Sequence, residues 1–289
     1  MDSEDLDDMI SSHRKSVTLR PLGHPYRSIS LNNLGNILYT RFEQLGRMED
    51  LEDAISSHCE ALTLRPLGDR HRPSSLNNLG NALFIRFEQL GRMEDLEDAI
   101  SSHREALSLR PLGDRYRSIS LNNLAIALFI RFRKSGRMED LEDTISSHRE
   151  ALTLDPLGHP DRSRFLNNLA NSLSTRFEQL GRMADLEDAI SSHREALRPL
   201  GHPDRPSFLN NLANSLSIRF YQSDRMEDLE DTISCYREAL TLRSRSHPDR
   251  SGSLDNLGSA FLTRFKKSGR IEDLGVVAIG WRRSRPPAA

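Results

Sequence analysis

The chain has 289 residues, with 40 Lys+Arg against 42 Asp+Glu and a formal net charge of −2. That balance offers no electrostatic case for a nucleic-acid or anionic-membrane binder, which would show a basic excess. With 36% hydrophobic residues and a mean hydropathy of −0.58, any core must be thin and regularly patterned.

The chain opens on an acidic stretch, Met-Asp-Ser-Glu-Asp-Leu-Asp-Asp, which is no secretory signal. Leu6, Ile10, His13 and Val17 then predict a helix over 5–20. From there a period takes over. The motif LNNL opens at Leu31, Leu76, Leu121, Leu166 and Leu209, and as LDNL at Leu254, with spacings of 45, 45, 45, 43 and 45. The short interval reflects the loss of two residues where the stretch Ala151–Pro156 becomes Ala196–Pro199. A second block close to RMEDLED runs in step at Met48, Met93, Met138, Met183 and Met226.

Within one copy, Leu76, Leu79, Gly80, Leu83 and Phe87 fall at i, i+3, i+4, i+7 and i+11, and Met93, Leu96, Ala99, Ile100, His103, Ala106 and Leu107 follow helical spacing too. Each copy is therefore predicted to be an antiparallel pair, helix A then helix B. Gly46, Gly91, Gly136, Gly181 and Gly269 close helix A, with Asp224 as the exception. Acidic residues such as Glu94 and Asp95 suit the positive end of helix B. Nothing reads as a strand.

These residues resemble the tetratricopeptide pattern, W-x2-L-G-x2-Y…A-x3-F…P: Leu76-x2-Leu79-Gly80-x2-Leu83, then Ala99-x3-His103, then Pro111. The segment Leu157 to Leu173 is similar to the kinesin-light-chain branch, with its LG…HP…LNNLA signature, and long units of this kind occur in fungal tetratricopeptide proteins joined to CHAT domains. The unit is 45 residues against a family length of about 34, which adds a turn to each helix and lengthens the loops. The implied fold is all-α: an α-solenoid (superhelix) of about 12 antiparallel-packed helices. Its expected parts are an orphan helix B over 5–20, repeats 21–65, 66–110, 111–155, 156–198 and 199–243, and an orphan helix A over 244–270. Together they form one array over 1–274, followed by a non-repeating stub, 275–289, that holds Trp281, the only Trp.

His13, His58, His103, His148 and His193 fill one slot of helix B; equivalent residues of stacked copies stand about 10 Å apart, too far to share a metal, so half-buried packing histidines are expected. Cys59 and Cys235 share no designed site with a histidine and an acid, and no phosphate-loop, dinucleotide, zincin or nucleophile-elbow string occurs, so neither enzyme activity, cofactor nor metal is expected. Arg41, Arg86, Arg131, Arg176, Arg219 and Arg264 precede a Phe and read as solvated arginines lying over an apolar neighbour.

The asparagines carry the functional reading. Asn33, Asn78, Asn123, Asn168 and Asn211 lie on helix A, with Asn36, Asn81, Asn171 and Asn214 one turn on. The resemblance implies that helix A lines a concave groove whose asparagines bind the backbone of an extended peptide. An amide ladder tying neighbouring helices fits equally, since buried amides demand partners either way. Asn32, Asn77, Asn122, Asn167 and Asn210 fit the structural part.

The expected function is a non-catalytic cytoplasmic scaffold that binds a protein or peptide partner, not nucleic acid or membrane. The alternative is a truncated adaptor array acting through self-association. In favour of that alternative, Leu254, Leu257, Phe261 and Phe265 would lack a covering helix B at the C-terminal end. In the second copy, the turn between helices (Arg86, Glu88, Arg92, Glu94, Asp95, Glu97, Asp98) is mainly acidic. The opposite edge (Arg104, Glu105, Arg110, Asp114, Arg115, Arg117) is mainly basic, which predicts edges of opposite sign.

Overall fold

The computed structural model describes residues 3–155 and 159–273. Among them are twelve α-helices and no strand: α1 (Ser3–Thr18), α2 (Arg27–Leu45), α3 (Met48–Thr63), α4 (Arg72–Leu90), α5 (Met93–Ser108), α6 (Arg117–Ser135), α7 (Met138–Leu154), α8 (Arg162–Leu180), α9 (Met183–Ala196), α10 (Arg205–Ser223), α11 (Met226–Leu242) and α12 (Arg250–Ser268). The stub 275–289, with Trp281, lies outside the described residues. The chain forms two compact units, Met1–Leu154 with α1 to α7, and Asp155–Ala289 with α8 to α12.

The turn between the two helices of a copy is set by its last residue. Gly91 takes φ +69°, and its N–H bonds the carbonyl of Phe87 at 2.7 Å, a left-handed cap that a side chain would strain. Asp224 holds the same position at φ 54°. The following helix starts two residues later with acids in its first turn, where the helix dipole favours them.

In the first unit, α2 packs on α3, α4 on α5 and α6 on α7, and α1, α3 and α5 each also meet the helix A that follows them. Helices α2, α4 and α6 touch in succession and so share one face. Each core layer joins two copies: Phe42, Leu51 and Ile55 pack with Leu79, Ala82 and Leu83, and Phe87, Leu96 and Ile100 repeat the pattern with Leu124, Ala127 and Leu128. The second unit is built alike, with Phe177, Leu186 and Ile190 against Leu212 and Leu216.

At α12 the structure corrects an expectation. Leu257 and Phe261 are buried, in a cluster with Phe220, Ile233 and Tyr236 of α10 and α11, while Leu254 is 37% exposed. The two buried side chains point back to the preceding helices, so they need no following helix B to cover them.

Candidate functional site

The helix-A faces carry two layers of amides. The deeper layer is tied to serines of the next copy: Ser75 Oγ donates to Asn32 Oδ1 at 2.7 Å, Ser120 Oγ to Asn77 Oδ1 at 3.2 Å, and in the second unit the Asn210 side-chain oxygen, in the amide orientation that also accepts from Arg243, accepts from Ser253 Oγ at 2.9 Å. Asn77, Asn122 and Asn167 are buried.

The outer layer holds the candidate binding residues. Asn78 Nδ2 donates to Asn36 Oδ1 at 2.8 Å, and Asn123 Nδ2 to Asn81 Oδ1 at 2.9 Å and to Asn77 Oδ1 at 3.4 Å. In the second unit Asn211 Nδ2 donates to Asn167 Oδ1 at 3.1 Å, and Tyr236 Oη donates to Asn214 Oδ1 at 2.5 Å. Asn33, Asn36 and Asn214 are exposed; Asn78, Asn81, Asn123, Asn168, Asn171 and Asn211 are half-buried. An amide offers two N–H donors and an oxygen with two lone pairs, so one ladder bond leaves capacity facing outward. Between α10 and α12 this surface sinks into a hollow of about 310 Å³, lined among others by Asn210, Asn211, Asn214, Ser253 and Asn256.

The arginines of the helix-A face are not the solvated side chains their sequence suggested. Arg131 is 6% exposed; its Nε and Nη2 grip Asp140 at 2.9 and 2.7 Å, and Nη1 reaches Glu97 of the preceding copy at 2.5 Å. Arg86 grips Asp95 at 3.0 and 2.6 Å and Glu52 at 2.6 Å, and Arg219 grips Asp228 at 2.9 and 2.6 Å and also meets Glu187. Such forks match the planar guanidinium to a carboxylate and are among the stronger polar contacts. The hydrogen bonds of Asp95 hold Arg86 above the ordinary arginine range, and those of Arg264 hold the Asp273 carboxyl below the usual carboxylate range. A second set, including Arg72 and Arg117 at the first position of helix A, ties loop carbonyls to Glu105 and Glu150. Sequence reading missed both sets, although their repetition in every copy was the available signal.

Of the helix-B histidines, His13 is half-buried as expected and the other four lie deeper. His58, His103, His148 and His193 are at most 2% exposed, and Nδ1 of each lacks a hydrogen-bond partner among the described residues. A Cβ on Gly80 would stand 2.6 Å from the His103 ring, so that ring lies directly on the helix-A backbone. Burial pushes His58 and His103 down to about 4, with Arg65 adding to the effect at His58, and pushes His148 and His193 down to about 3. All four are neutral packing groups. Burial also raises the Cys235 thiol to about 12, which makes it a poor nucleophile. Among the described residues no three His, Cys, Asp or Glu side chains cluster to hold a metal, and no helix is long and apolar enough to cross a membrane.

The tetratricopeptide repeat profile matches residues 29–63, 74–110, 119–161, 164–204 and 207–249, well over half of the chain. No curated protein matches its sequence. Among solved structures, YrrB, titled as a TPR protein with an unusual peptide-binding site, aligns with TM-score 0.52 and 15% identity over 85% of this chain and 97% of its own. BtubC (BKLC) from P. vanneervenii aligns at 0.54 and 18% identity over 84% and 94%. The human IFIT1 dimer with PPP-AAAA aligns at 0.60 and 13% identity, over 95% of this chain but 58% of that one. At these identities the likeness is one of fold.

Proposed function

The chain belongs to the tetratricopeptide repeat family, and from that membership we propose that it is a non-catalytic scaffold holding an extended peptide segment of a partner protein against its helix-A faces. The observation that carries this reading is the hollow between α10 and α12, where Asn211, Asn214 and Asn256 come together over a floor of Asn210 and Ser253. An extended peptide presents one N–H and one C=O at nearly every residue, and an outward amide answers both. The deeper amides Asn32, Asn77 and Asn210 are engaged by serines, whereas Asn78 and Asn211 use an N–H in the ladder and keep their side-chain oxygens for a ligand. On this reading Asn33, Asn36, Asn78, Asn81 and Asn123 serve the first unit, and Asn168, Asn171, Asn211 and Asn214 the second. The peptide-binding site named for YrrB supports the assignment by fold, and the LG…HP…LNNLA signature supports a kinesin-light-chain-like branch.

Peptides selected from a random display library on the whole protein, then synthesised, provide the test. The Asn211→Ala/Asn214→Ala variant should bind the selected peptide more weakly by on the order of 1 kcal/mol per side chain, with circular-dichroism melting little changed. Asn77→Ala, which breaks the deeper layer, should lower the melting temperature and leave affinity intact. Unaltered affinity in the double variant overturns the assignment.

A further inference from the structure

The connections from helix B to the next helix A present the most exposed large apolar side chains of the first unit. Leu22, Leu67 and Leu112 are 78%, 78% and 75% exposed. Each stands second in a Pro-Leu-Gly-His/Asp turn closed by a backbone bond: His24 N–H to Pro21 O at 3.0 Å, Asp69 N–H to Pro66 O at 3.1 Å, and Asp114 N–H to Pro111 O at 3.0 Å. Gly68 at φ +96° fits the third position of a type II turn. The leucines are thus fixed knobs on ordered loops.

Alternating helix direction puts all three loops at the same end of the hairpins. Because α2, α4 and α6 touch in succession, the knobs follow one another at about 10 Å. Around them lie Leu19 at 70% exposure, Tyr26 at 58% and Tyr116 at 43%. The loop acids are turned inward: Asp69 Oδ1 accepts the His71 N–H at 2.7 Å, while Asp114 Oδ1 accepts the Tyr116 N–H at 2.7 Å and pairs with Arg110. Arg70 and Arg115 point outward, the latter stacked on Tyr116 with its guanidinium carbon 4.4 Å from the ring centre, while the partly exposed carboxylates Glu60, Glu105 and Glu150 are neutralised in turn by Arg27, Arg72 and Arg117. The whole-chain charge of −2 conceals this local positive edge.

We propose that this edge of the first unit docks on the surface of an anionic lipid bilayer, with Leu22, Leu67 and Leu112 inserted among the headgroups and Arg70 and Arg115 facing lipid phosphates and carboxylates. Three properties select that occupant. The edge is positive, so it complements an anionic surface and repels the same edge of a second copy. Leucine, tyrosine and arginine together match the mixed polarity of the interface. Separate knobs with polar gaps do not form the contiguous patch of about 800 Å² per partner that a stable protein interface needs, whereas fluid lipid closes around each knob.

Co-sedimentation of the full chain with extruded vesicles tests the proposal. Vesicles of phosphatidylcholine with one-third phosphatidylserine should bind the protein in low salt, and pure phosphatidylcholine vesicles or half-molar NaCl should weaken binding by about tenfold or more. Leu22→Ser/Leu67→Ser/Leu112→Ser should reduce binding by a similar factor while the melting curve stays unchanged, since all three side chains are exposed. Arg70→Gln and Arg115→Gln should each cost about fivefold. The proposal is overturned if the triple variant sediments like the parent. It is overturned equally if the parent ignores anionic vesicles, including the case where the edge captures an acidic peptide instead.

Discussion

At Arg131 one guanidinium gathers two carboxylates from two copies, and neither Arg131 nor Asp140 has water to fall back on. Removing the arginine leaves the buried Asp140 with only Arg137 Nε at 4.0 Å, beyond hydrogen-bond reach, so Arg131→Ala should cost about 3–5 kcal/mol in urea unfolding. Arg131→Lys should recover only part of it, because an ammonium cannot span the fork. A loss under about 1 kcal/mol for the alanine variant would contradict this account. The buried histidines make a separate prediction at the same scale. Their folded values, about 4 for His58 and His103 and about 3 for His148 and His193, lie below the unfolded value of about 6.5. The unfolded chain therefore binds protons first as pH falls. Stability is fully present above about pH 6.5 and is lost progressively toward pH 4 and 3. His193→Tyr should blunt that loss, since Asn171 stands where Asn214 accepts the hydroxyl of Tyr236; thermal melts at stepped pH will show it. The asparagine layers were legible because their spacing repeats on one helix. The arginine forks were not, because one partner lies nine residues on, beyond a left-handed turn, and the other 32 or 34 back in another copy. Histidine depth was hidden as well, since it depends on the small residue facing the ring.

Helix ends were read closely from sequence where a left-handed cap fixes them, and loosely elsewhere. Every helix A ends at the residue before the glycine or Asp224, as expected. The last one starts at Arg250 rather than 244, because the stretch Arg243–Asp249 is bound up in loop contacts such as Arg243 to Ser253. The two residues lost in the fourth copy come out of the helix rather than the loop: α9 has 14 residues against 16 in α5, while the connections that follow them, 197–204 and 109–116, are equally long. Asp224 is the strained cap of the set, with a side chain in a conformation costing about 1–2 kcal/mol outside glycine. Its ion pair with Lys267 is exposed and offsets little. Asp224→Gly should thus raise stability by about 1 kcal/mol, read as a shifted denaturation midpoint with unchanged slope.

Within each unit the core layers join one copy to the next, and amide bonds and the second arm of each arginine fork cross the same boundaries. Deleting residues 66–110 joins α3 to α6 in the same register: Arg65 meets the loop before Ser120 as it met that before Ser75, and Phe42 meets Leu124 and Leu128 in place of Leu79 and Leu83. The shortened protein should fold cooperatively with a smaller denaturant slope, whereas removing 40 residues from the same region should not. Folding without cooperativity after the in-register deletion would show that the copies are not equivalent. Equivalence has a further consequence in time rather than in space. The sixteen residues of α3 and of α5 differ only at Cys59/Arg104 and Thr63/Ser108, so a half-made chain offers each helix A several surfaces of nearly equal affinity. Complementarity does not choose among them; proximity does. Helices emerging one after another meet their correct neighbour first, while a chain refolding from denaturant meets all candidates at once. Slow phases from mispaired copies are therefore expected on refolding and absent during synthesis.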